Sequence, residues 1–254
     1  MILALVQGVA EFLPISSSGH LVLIGALLGE LSEEPTMEVI LHAGTLGSIL
    51  VVYRRRIAAL LRSDRRVVPL LIVGTLPAAI VGVTIKLFFE SWLRSPLLAA
   101  AMLIVTGIGL IVLQRLKHRE GDYRDLSYLD ALIIGCFQAF AILPGISRSG
   151  STILGGRLLG LKNEDSVTLS FLLAIPAIAG ATLLTLKDLA TETSAPTYGP
   201  SQLVTGAAVA FVVGVVALRW LIDWSRRGRL HYFAGWCLPV GVAGLIYFGF
   251  SRAG

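Results

Sequence analysis

The chain has 254 residues, 55% of them hydrophobic and 15% charged, with a formal net charge of +5. Ordinary soluble domains carry about 25% charged residues, and the mean hydropathy here is +0.81. A soluble globular enzyme is excluded as the default, as are disordered and fibrous chains, because one domain of this length cannot hide so much apolar surface from water.

Residues 1–29 are apolar but are broken by Pro14 and the run Ser16-Ser17-Ser18-Gly19. Spans are predicted near 36–53, 67–89 and 96–114, each apolar and close to the length a bilayer needs. Residues 129–160 repeat the first pattern, an apolar stretch broken by Pro144, Gly145, Ser147 and Ser149, and spans near 166–187, 201–222 and 231–250 follow. Each half of a broken region is too short to cross ~30 Å of hydrocarbon. Lipid rejects irregular backbone unless protein or a wet cavity surrounds it, so both regions read as re-entrant hairpins or discontinuous helices and as functional candidates.

Arg54, Arg55, Arg56, Arg62, Arg65 and Arg66 face one acid, Asp64, in 54–66, and Arg226, Arg227 and Arg229 face Asp223 in 223–230. These loops are placed in the cytoplasm. The loop 188–200, with Asp188 and Glu192 and no base, is placed outside. By counting spans, 115–128 is cytoplasmic and the loop around 86–95 external. The positive-inside pattern accounts for the net charge without nucleic acid. Cys136 and Cys237 lie in apolar runs and define no disulfide, no zinc-ligand spacing occurs, and no cleavable leader is expected.

Gln7 to Gly19 parallels Gln138 to Gly150, with Gln, Ser, Ser and Gly in register at an offset of 131; Leu28-Gly29 matches Leu159-Gly160 at the same offset, and Gly74 and Gly82 match Gly206 and Gly214 at 132. A register held over both halves predicts an internal repeat. The fold expected is an all-α polytopic membrane protein, a single domain over 1–254. Repeat one is 1–114, a linker covers 115–128, and repeat two is 129–254. Each repeat is a broken re-entrant hairpin plus three transmembrane helices. Three is odd, so the topology is inverted, with the two breaks meeting near the midplane.

Ser16, Ser17, Ser18 and Gly19 before a short helix offer hydroxyls, free N–H groups and a positive helix end, which together suit an anion. Ser147, Ser149, Gly150, Ser151 and Thr152 repeat the design and add Arg148, whose guanidinium fork matches phosphate. Glu11, four residues after Gln7, needs a partner at membrane depth: Arg148, a proton, or a divalent cation such as Mg²⁺ or Ca²⁺. The ion pair and the metal role are not exclusive. His20, just past the serines, suits acid/base or nucleophilic work. His42 is read as structural or as a neighbour of the site, and His118 and His231 as solvated. Glu38 and Asp130 are expected in first turns of helices, and Arg157 is left between snorkelling and assisting the site. Trp92, Trp220, Trp224 and Trp236 are expected as interface anchors.

Glu11-Phe12-Leu13-Pro14-Ile15-Ser16-Ser17-Ser18-Gly19-His20 and Pro144-Gly145-Ile146-Ser147-Arg148-Ser149-Gly150-Ser151-Thr152 closely resemble the two signature motifs of the undecaprenyl-diphosphatase family, the bacitracin-resistance proteins. The resemblance covers nearly the whole chain. It implies hydrolysis of undecaprenyl diphosphate, a lipid held in the bilayer, to undecaprenyl phosphate and inorganic phosphate, recycling the carrier for peptidoglycan. It implies a multi-pass enzyme of the bacterial plasma membrane, a site open to the outer face, and a requirement for Mg²⁺ or Ca²⁺ held by Glu11 and Gln7; a homodimer is compatible with it. Carried over by position, the catalytic residues are Glu11, Ser17, His20 and Arg148, with Ser16, Ser18, Ser147 and Ser149 in support. Many members have Glu where this chain has Gln7, which cannot act as a base. Attack by Ser17 with His20 as base, attack by neutral His20, and attack by water all remain open. The rival class is a transporter or flippase of a polyprenyl phosphate, since inverted repeats with broken helices are common there.

Overall fold

A computed structural model describes residues 1–28, 35–117, 119–191 and 198–250. Gly29, His118 and Glu192 fall outside the described residues, as do the side chains of Glu38 and Asp188. The described chain is helical: α1 (Ile2–Ala10), α2 (Ser17–Leu28), α3 (Pro35–Val52), α4 (Arg54–Leu60), α5 (Val67–Phe88), α6 (Glu90–Leu93), α7 (Pro96–Arg115), α8 (Tyr128–Phe140), α9 (Arg148–Leu158), α10 (Asn163–Thr191), α11 (Pro200–Arg226) and α12 (Ala234–Phe250).

Among the described residues, five helical segments are long and apolar enough to cross a membrane: Val67–Phe88, Pro96–Arg115, Asn163–Lys187, Pro200–Arg226 and Leu230–Phe250. Only 17% of the most apolar stretch of α5 is buried within the protein, so its apolar surface needs lipid. The span expected near 36–53 is the helix α3, and its described stretch Val39–Val52 is apolar over about 21 Å. His42, Thr45 and Ser48 interrupt it, and α3 packs chiefly on α11 and α10. Protein thus surrounds it, and Ser48 Oγ donates across to the Phe211 carbonyl at 2.8 Å.

The helix ends follow local chemistry. Ser95 caps α7 by accepting from Leu98 N–H, and Pro96 fills the first helical position. Ser127 and Asp130 form a capping box on α8, which places Asp130 in a first turn as expected. In the connection before it, the Arg124 guanidinium bonded to Asp122 holds that carboxyl down at about 2.

Arg157 neither snorkels nor reaches the site. It is 5% exposed, and its guanidinium donates to the Leu161 and Lys117 carbonyls. With the Gly121–Leu161 bridge, it staples the connection after α7 to the end of α9. Arg157→Met is expected to loosen 115–122, read as amide exchange in that segment about tenfold or more faster, consistent with losing two charge-assisted hydrogen bonds, with the span amides unchanged.

Candidate functional site

The short helices α1, α2, α8 and α9 run 9, 12, 13 and 11 residues, each under ~20 Å. Their broken joints, 11–16 and 141–147, meet inside the bundle. Ser16 Oγ accepts from Gly19 N–H at 3.2 Å within its own joint and from Gly145 N–H at 3.2 Å across the gap. Ser147 Oγ accepts from Gly150 N–H at 3.2 Å, the same cap 131 residues later. Thr106 of α7 donates to the Gly145 carbonyl at 2.7 Å and accepts from Ser147 N–H at 3.1 Å, which fixes the second joint. Gly19 lacks a Cβ for the sake of Gly145: a side-chain carbon there would lie 2.6 Å from the Gly145 Cα. The glycine therefore lets the two joints approach each other. Ser16 sits at φ +66°, a left-handed conformation that costs a non-glycine residue of order 1–2 kcal/mol; its two accepted hydrogen bonds offset that.

The charges meet at Glu11. Arg148 Nη2 donates to Glu11 Oε1 at 2.6 Å, with the side chains 16% and 9% exposed. On the other oxygen, Oε2, Gln7 Nε2 donates at 3.1 Å and Ser17 Oγ at 3.3 Å, and His42 Nε2 lies 3.9 Å away. The Arg148 guanidinium stands 5.9 Å from the centre of the Phe171 ring, which packs on the buried Phe12. Its Nη1 is buried with no hydrogen-bond partner among the described residues. That unspent donor is what an incoming anion would use.

Other expected residues are committed elsewhere. Ser151 Oγ donates to the Phe137 carbonyl at 2.7 Å, and Thr152 Oγ1 pairs with Ser170 Oγ at 2.6 Å; both serve helix packing. Ser149 Oγ lies 3.2 Å from Ser147 Oγ and is buried. His20 Nδ1 lies 2.8 Å from the Ser16 carbonyl, while Ser17 is bonded to Glu11. The basic partner beside Ser17 is therefore the carboxylate, not the imidazole. Gln138, the repeat mate of Gln7, is 2% exposed with both amide atoms unpartnered among the described residues, because Ile142 stands where Glu11 stands in the first half.

Sequence reasoning gave His42 no definite role, missed Thr106 and Phe171, and missed that Trp236, read as an interface anchor, donates its Nε1–H to His20 Nε2 at 2.8 Å. A histidine on an otherwise apolar helix was a usable signal for His42; the others carry none in their local sequence. Trp220 and Trp224 pack on each other and on Phe233.

Glu11 is the carboxylate these contacts bring in, and no group of three or more His, Cys, Asp or Glu converges among the described residues. That donor set does not make an all-protein cage. It fits an ion that keeps water and takes most of its oxygens from a phosphate, as Mg²⁺ commonly does.

The family described as "Bacitracin resistance protein BacA" matches residues 1–243. The "Undecaprenyl-diphosphatase" of Rhodopirellula baltica is 66% identical over 242 residues, covering 95% of this chain and 94% of that one. The protein of the same name from Halothermothrix orenii is 38% identical over 250 residues, covering 97% and 96%. "Undecaprenyl-diphosphatase 2" of Bacillus thuringiensis is 36% identical over 261 residues, again 97% and 96%. With the match running through both joints and nearly every helix, the chain belongs to the bacitracin resistance protein BacA family.

Proposed function

We propose that the chain is an undecaprenyl-diphosphate phosphatase, cleaving the terminal phosphate from undecaprenyl diphosphate to give undecaprenyl phosphate and inorganic phosphate. It thereby recycles the carrier for peptidoglycan and confers bacitracin resistance. The observation that carries this reading is the Glu11 carboxylate bonded at once to Arg148 and Ser17, in a chain 66% identical to a protein of that name. A carried lipid phosphate would need the arginine; it would not need a hydroxyl set against a carboxylate. A transporter is therefore not favoured.

In the mechanism, the diphosphate enters from the bilayer and its terminal phosphate lies between the joints. Arg148 turns its unspent Nη1 donor to an equatorial oxygen and stabilises charge that grows in the transition state. Glu11 draws the proton of Ser17 Oγ, which forms a bond to the terminal phosphorus as the bridging P–O bond breaks. The leaving group is undecaprenyl phosphate, a phosphate monoester that needs little acid assistance. Water then cleaves the phosphoserine and releases inorganic phosphate. His20 serves as acid/base in the second step, and Ser18 and the joint's N–H groups orient the phosphate. Glu11 and Gln7 would hold Mg²⁺ or Ca²⁺, which neutralises phosphate charge when bound.

The matching caps at Ser16 and Ser147 support the inverted repeat of two re-entrant hairpins, with α3 as the protein-wrapped sixth span. Arginine-rich 54–66 and 223–230 support a cytoplasmic face there and a site opening outward. The test is inorganic phosphate released from undecaprenyl diphosphate in detergent, where no second compartment exists. Wild type is expected to release phosphate, to lose most of the rate with chelator, and to lose at least a hundredfold in Glu11→Gln and Ser17→Ala. Full activity in a folded Ser17→Ala protein would remove the phosphoserine, and no release by wild type would remove the enzyme.

A further inference from the structure

The His20 imidazole is held by both nitrogens. Nδ1 lies 2.8 Å from the Ser16 carbonyl oxygen, which can only accept, so Nδ1 carries the proton. The lone pair of the neutral ring is then on Nε2, where the Trp236 indole, a donor only, directs its N–H from 2.8 Å. The two rings lie 6.1 Å apart and 12° from parallel. An imidazole so bound has no lone pair to spare: it can neither take a proton nor attack phosphorus. Ser17 accordingly donates to Glu11. The two rings differ in freedom. His20 is partly buried and tied to backbone, whereas Trp236 is 54% exposed on the outside of α12, where the indole can turn away without disturbing the core.

We propose that Trp236 is a latch on His20: its N–H caps Nε2 and keeps the imidazole idle, and the ring becomes competent only when the indole swings out toward the lipid. Trp236 is thus a positioning residue that acts through His20. The activity arm rests on the reading that His20 takes part in the reaction; the latch itself is tested without activity.

The experiment compares wild type with Trp236→Phe, which keeps an aromatic ring and removes the donor. Diethyl pyrocarbonate acylates the free nitrogen of a neutral imidazole, and mass spectrometry of the His20 peptide reports its rate there. That rate is expected to rise about three- to tenfold in the variant, the worth of one net hydrogen bond, and the single-turnover rate of phosphoserine hydrolysis with it, because a larger fraction of the protein is competent. Nitrogen-15 spectra of histidine-labelled wild type are expected to show a protonated Nδ1 and an unprotonated, hydrogen-bonded Nε2; this arm stands even if the variant folds poorly. A wild-type Nε2–H tautomer, or an unchanged labelling rate in folded Trp236→Phe, overturns the latch. Faster labelling with an unchanged rate of phosphoserine hydrolysis upholds the latch and removes His20 from the reaction instead.

Discussion

Arg148→Met is expected to abolish phosphate release and to lower the midpoint of thermal unfolding in detergent by roughly 10 °C. The two losses have different causes. The rate falls because a guanidinium placed against the phosphate is worth about 3 kcal/mol or more in the transition state. Stability falls because Glu11, 9% exposed, is left as an uncompensated carboxylate, which typically costs about 3–5 kcal/mol. Adding Glu11→Gln separates them. The double variant removes both charges and is expected to regain most of the lost midpoint and none of the activity. Arg148→Lys keeps the charge and loses the planar fork, so it should hold stability better than rate. A folded Arg148→Met protein with wild-type turnover would exclude the arginine from the chemistry.

Gly145→Ala is expected to have the largest structural effect of any single methyl group in the molecule. Gly145 has φ +96°, and an added Cβ would overlap the Ala99 carbonyl oxygen and crowd Leu103 N. Backbone strain and overpacking together cost about 3–5 kcal/mol, and the Gly145 N–H to Ser16 bond would shift with them. Loss of folded yield, or a midpoint lower by roughly 10 °C, is the expected reading. Gly235→Ala is the control, since nothing lies within 4 Å of its Cβ position. It should stay within about 1 kcal/mol of wild type. A Gly145→Ala protein as stable as the control would mean that the joints do not meet as described.

Much of this was legible from the chain. Helical spans in lipid follow from apolar runs, and the breaks follow from Pro14 and Pro144 standing just before clusters of serine and glycine, whereas Pro77, Pro176 and Pro239, without such clusters, stand inside helices. The Glu11–Arg148 pair was legible because two opposite charges at membrane depth have few other ways to be satisfied. What stayed hidden depends on distance in three dimensions. Ser151 and Thr152 carry the same hydroxyl as Ser17, and only the packing of α9 against α8 and α10 decides that theirs go to Phe137 and Ser170. Trp236 resembles any tryptophan near the end of a span until α12 is set beside α2. Polar residues stand within α3, and the reason they are tolerated, contact with α10 and α11, is tertiary.

The Glu11–Arg148 bond joins residues 137 positions apart, and that separation matters during synthesis. Chains elongate at about 5–20 residues per second, so Glu11 precedes its partner by on the order of ten seconds. Throughout that interval a buried carboxylate would be without its counter-charge. The first hairpin is therefore expected to wait at the bilayer surface, or to enter with Glu11 protonated, and to seat only once the second hairpin arrives. Nascent chains arrested before Arg148 should leave a cysteine placed at Ala10, 5% exposed in the folded chain, open to a water-soluble maleimide, and chains arrested well after it should not.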